Sequence, residues 1–82
     1  MFTATYTWAV YGAIGRGTAS CRSVRRACQL AYSRAWNALG EVGQYSACGA
    51  TLYETLDVVD ARTGAVVLSR RWEADDEERD DD

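Results

Sequence analysis

Three glycines and four arginines crowd together early in this chain: Gly12, Gly15 and Gly17 run up to Arg22, Arg25 and Arg26, with Arg16 set between the last two glycines. If the glycines form a loop that leads into a helix, the free backbone N–H groups of the helix start would attract an anion, and the guanidinium groups would strengthen that field. On this reading Gly15, Arg16, Gly17, Arg22 and Arg26 form a weak anion-binding constellation. The spacing matches neither the dinucleotide fingerprint nor a phosphate-binding loop, and the latter needs a Lys that this sequence lacks. A plain connecting loop is the simpler account.

A second group lies along the segment that follows. Arg25, Gln29, Tyr32 and Trp36 recur at three- and four-residue spacing, so on a helix they share one stripe. Trp, Tyr and Arg are the residue types that dominate protein-binding surfaces, and the stripe is read as a candidate partner site. Its plainer role is structural, with Tyr32 and Trp36 wrapping the edge of a sheet.

Catalytic chemistry finds little to work with. The chain has no His, which removes the commonest general base and the commonest metal ligand. Cys21, Cys28 and Cys48 alone leave zinc without a fourth ordinary ligand, and Cys21 and Cys28 lie two helical turns apart, too far for a disulfide. All three are read as small core residues. Glu54 and Asp57 would point to opposite faces of a strand, so they make no acid–base pair. Glu54 falls on the apolar phase, at an edge, at a bulge, or paired to Arg70. The expectation is a non-enzyme without metal or cofactor.

The elements that position these residues follow from periodicity. Phe2 to Tyr11 alternates strictly and predicts a strand. Residues 12–17 read as a loop, and Ser20 to Leu39 as a helix capped by Thr18 or Ser20 and stopped at Gly40. Its core stripe is Val24, Ala27, Cys28, Ala31, Ala35, Ala38 and Leu39, mostly small side chains that let a helix lie close to a sheet. Ala50 to Asp60 alternates again, Asp60-Ala61-Arg62-Thr63-Gly64 is a hairpin signal, and Ala65 to Trp72 completes a third strand. The class is therefore α+β, a β-α-β-β unit with a three-stranded, antiparallel sheet and one helix on one face. The preferred order places the last strand between the other two. The sheet face away from the helix, bearing Thr3, Thr5, Thr7, Tyr11, Thr51, Tyr53 and Thr55, then has no cover within the chain. It must meet water, another protein or a second copy, and a homodimer through this face is one outcome.

Charge divides the chain in two. Residues 1–72 carry eight Arg against four acids, a net +4, whereas residues 73–82 carry eight acids against Arg79, a net −7. The first part is one domain with room for one core; the second is an acidic tail that cannot offset the entropy of ordering itself. Such a tail solubilises, screens the chain's own arginines, or mimics nucleic-acid phosphate. There is no signal-peptide pattern and no apolar run long enough to cross a bilayer, so a cytoplasmic protein with reduced thiols and no membrane partner is expected.

Every basic residue is Arg, and Lys, His and Pro are all absent. In this lysine-free composition, with one motif-free domain and a charged tail, the chain resembles short accessory proteins of bacteriophages that infect high-GC actinobacterial hosts. That resemblance implies a β-α-β-β module that binds and modulates a host protein. The leading expectation is a non-enzymatic protein-interaction module acting on a host or self surface. The alternatives are a nucleic-acid binder using Arg16, Arg22, Arg25, Arg26, Arg70 and Arg71, and a small-anion or nucleotide sensor at the glycine run.

Overall fold

The glycine-rich run is a strand. In the computed structural model, which describes residues 1–49 and 51–74, β1 (Phe2–Val10) turns at Tyr11 and Gly12 straight into β2 (Ala13–Cys21). Next come α1 (Val24–Ala47), β3 (Thr51–Asp60) and β4 (Val66–Glu73). The sheet therefore has four strands rather than three, ordered β2-β1-β3-β4, and every neighbouring pair is antiparallel. The expected antiparallel α+β arrangement of one helix on one sheet holds. Because β2 reverses the chain before the helix, β3 can lie directly beside β1, and β4 is pushed to the edge instead of the middle.

The helix begins later than its periodicity suggested, since residues 13–21 are already spent on a strand. Ser23, not Thr18 or Ser20, is the cap; its Oγ accepts from Arg26 N at 3.0 Å. Gly40 does break the helix, with φ of 76°, a left-handed angle that disfavours any side chain. The chain nevertheless turns helical again up to Ala47, and Gln44 Nε2 donates to Trp36 O at 2.9 Å across the break.

One row of α1 faces the sheet: Ala27, Ala31, Ala35, Leu39 and Gly43, each four residues on, are all buried. Ala38, expected on this stripe, is exposed. Beneath the row, the registers place Ala19, Gly17, Gly15 and Ala13 of β2 opposite Ala4, Tyr6, Trp8 and Val10 of β1. Small residues meet small residues, so backbones approach closely: a Cβ on Gly17 would lie 2.2 Å from Ala31 O and 2.4 Å from Ala35 N. The core forms two clusters, one around Ala4, Ala19, Ala27, Ala31 and Val58, the other around Trp8, Val10, Ala35 and Leu39.

The close approach fixes where α1 sits. It packs on β2 and β1, only grazes β3, and leaves β4 bare. The expected hairpin after β3 is present: Asp60 O accepts from Thr63 N at 3.2 Å and from Gly64 N at 2.7 Å, and Asp60 Oδ1 accepts from Arg62 N at 2.9 Å. Glu73, assigned to the tail from its charge, ends β4 opposite Tyr53. The remaining tail expectation, for residues 75–82, lies outside the described residues. Among the described residues no helix is long and apolar enough to cross a membrane.

Candidate functional site: a groove beside the helix

The sheet has two faces, and they differ in chemistry. On the face away from the helix, polar groups pair with one another. Thr3 Oγ1 and Ser20 Oγ are 2.9 Å apart, Arg16 Nε donates to Thr7 Oγ1 at 3.2 Å, and Ser69 Oγ donates to Asp57 Oδ1 at 2.7 Å. Arg71 stands 5.1 Å from the Tyr53 ring centre and pairs with Glu73 at 2.5 Å. Thr3, Thr5, Thr7, Tyr53 and Thr55 occupy this face as expected, but Thr51 does not. A register shift between Ala9 and Val10 lets Thr51 Oγ1 accept from Trp8 Nε1 at 3.1 Å, on the helix side.

On the helix side apolar surface is exposed beside one carboxylate, Glu54, and one guanidinium, Arg70. Cross-strand pairing brings Tyr6 beside Leu56, Leu56 beside Arg70, and Glu54 beside Trp72. Tyr6, Glu54, Leu56, Arg70 and Trp72 line a depression of about 250 Å³. A second of about 380 Å³ shares Tyr6 and Leu56 and rises against Cys28, Gln29 and Tyr32 of α1. Together they form one groove between α1 and β4. Trp72 remains 51% exposed and Tyr32 45%, large values for rings that border a core.

The aromatic stripe of α1 is thus half buried in function as well as place. Trp36 stacks on Trp8 with ring centres 5.2 Å apart, and Tyr32 lies 5.1 Å from both Tyr6 and Trp8. These contacts extend the core, the plainer of the two expected roles, while the outer edge of Tyr32 still forms the groove wall. Gln29 joins it there, and Arg25 lies exposed nearer the helix start.

Glu54 lies on the helix-facing phase as expected, but none of the three expected settings holds: β3 is inside the sheet and not at its edge, and the register shifts fall elsewhere. No ion pair joins it to Arg70; instead the Tyr6 hydroxyl donates to Glu54 Oε1. Burial in the groove raises the Glu54 carboxyl above its ordinary pKa. The folded chain therefore holds this proton more tightly than the unfolded chain. The stability contributed by Glu54 is full below the unfolded pKa and is lost as pH climbs through the folded one. Glu54→Gln, uncharged and similar in shape, is expected to match wild type near pH 4 and to exceed it in urea midpoint near pH 7, roughly the two sides of a carboxyl titration. A variant less stable than wild type at the higher pH contradicts the sign.

The anion-binding constellation is not assembled. Gly15 and Gly17 lie in β2 with their backbones under α1, so their N–H groups are not at a helix start. Arg16 points to the far face, and lies about 17 Å along the strand from the end near Arg22 and Arg26. Arg22, Arg25 and Arg26 remain clustered and exposed at the start of α1, where no acid accompanies them. Cys21 and Cys28 are half-buried at the core margin, but Cys48 is exposed at the helix end, not in the core as expected. Among the described residues no cluster of potential metal ligands forms.

Compared with known proteins, the chain matches no family model, no curated protein and no solved structure. What the groove does must be argued from its own residues.

Proposed function

We propose that this protein is a non-enzymatic protein-binding module whose binding surface is the groove between α1 and β4. One observation carries the reading: Trp72, Leu56 and Tyr32 present apolar surface on a half-sheet that the chain's own helix leaves uncovered, while the opposite face is occupied by paired polar groups. Exposed aromatic surface flanked by an Arg and a carboxylate is the composition of a binding centre with a polar rim. The uncovered strip is two strands wide, about 10 Å, enough for one layer of a partner to settle beside α1. The likeness to phage accessory proteins makes a host protein the natural class of partner.

The test is quantitative capture from actinobacterial lysate. Trp72→Ala and Leu56→Glu are expected to lose at least tenfold of whatever wild type retains, with circular dichroism unchanged, since a tenfold loss requires only about 1.4 kcal/mol. Undiminished capture by both folded variants removes the groove from consideration.

A further inference from the structure

We infer that the groove receives a second copy of this chain, with Arg70 of each copy meeting Glu54 of the other. This rests on the reading of the groove as a protein-binding surface and names its partner. The argument begins with charge. Glu54 and Arg70 share the helix-side face on neighbouring strands, two residue pairs apart along the ladder, yet form no ion pair within the chain. A surface that carries both signs at a fixed offset is complementary to itself under a two-fold rotation, because residue i then meets j while j meets i.

The shape agrees. With a two-fold axis running along the strands, β4 of one copy lies over β3 of the other at unchanged height, so Trp72 rests above Glu54 of the partner and Arg70 above its Leu56. From there the long guanidinium side chain has to reach two residues, about 7 Å, along the strand to Glu54. Packed sheets stand about 10 Å apart, which is also the thickness of a helix layer. Each α1 therefore fits beside the partner's β4 and covers its edge, which no other strand of the described residues pairs with.

The area sets the strength. A strip about 10 Å wide and 25 Å long, with side-chain relief and the flanking Tyr32 walls, buries on the order of 1,000 Å² in total, the lower limit for a specific interface. The dimer is expected to be weak, with a dissociation constant of roughly micromolar to hundreds of micromolar.

Sedimentation equilibrium of the full chain over a concentration series tests this. Wild type is expected to pass from monomer to dimer. Arg70→Glu and Glu54→Arg should each weaken association at least tenfold, and the double variant Arg70→Glu with Glu54→Arg should recover most of it. Trp72→Glu should be monomeric. In case Glu54→Arg does not fold, isotope-filtered NMR on mixed labelled and unlabelled wild type should show contacts from the Trp72 ring to the other copy. Three results overturn the inference: a monomer up to about 1 mM, association undisturbed by Arg70→Glu and Trp72→Glu, or dimerisation that begins only once residues 75–82 are deleted, which would make the acidic tail the groove's occupant. Each leaves the groove reading to stand or fall on the lysate capture alone.

Discussion

Gly17→Ala is expected to cost about 3 kcal/mol or more, at the upper end of what overpacking costs. The new methyl would sit 2.2 Å from the Ala31 carbonyl oxygen and 2.4 Å from Ala35 N, and neither atom belongs to a side chain that can swing aside. The helix has to lift. Lifting it opens the whole row from Ala27 to Gly43, since that row is one rigid line of contacts against β2 and β1. A domain of this size holds on the order of 4–12 kcal/mol in total, so the loss is a large share of it. Gly49→Ala is the internal control, because a Cβ there meets nothing within 4 Å. Urea denaturation of the two variants beside wild type decides the matter; equal midpoints for Gly17→Ala and Gly49→Ala would show that the helix does not rest on β2 as described.

Trp8→Ala should be comparably damaging for the opposite reason, a void instead of a clash. The indole is 7% exposed and joins the second core cluster to the aromatic wall, with Tyr32, Trp36 and Tyr6 ring centres at 5.1, 5.2 and 6.0 Å. Truncating such a residue costs about 3–5 kcal/mol. It also strips Thr51 Oγ1 of its indole donor at the register shift where β3 begins. A fall in Tm of at least 12 °C is expected, at about 4–8 °C per kcal/mol. Trp8→Phe keeps most of the volume and should lose less than half as much. Calorimetry showing a drop under about 5 °C for Trp8→Ala would mean that the remaining rings close over the gap.

Much of the architecture was legible in the residues. The alternation of β1 and β3, the Asp60 to Gly64 hairpin and the Ala row of α1 all carry their period openly. The second strand did not, because its helix-facing positions are Ala13, Gly15, Gly17, Ala19 and Cys21. Alternation is usually recognised by large apolar side chains, and here they are absent since the helix backbone takes their place. The signal was present in the other phase, Ile14, Arg16, Thr18 and Ser20, and in a Tyr-Gly turn of hairpin length. Missing that strand moved the helix start, dissolved the glycine loop and put β4 in the wrong place.

The site was harder to foresee for the same cause. Tyr32, Gln29 and Glu54 could be singled out by spacing, and the hairpin already makes Leu56, Arg70 and Trp72 neighbours, but that they line an uncovered groove follows only once β4 is known to be an edge. The sheet face left open to water, another protein or a second copy carries polar pairs of its own, and exposed apolar surface appears where one helix proves too narrow for four strands.

That asymmetric cover divides the molecule's tolerance to change. Along β2 beneath α1, even a methyl group at Gly15 or Gly17 meets the helix main chain, so these positions are held to glycine. On β4, Arg70 and Trp72 can vary at little cost to folding, since they stand exposed, whereas Leu68 packs against the first core cluster. A library randomised at those two positions should yield mostly folded chains, which makes the fold a compact scaffold for evolving recognition.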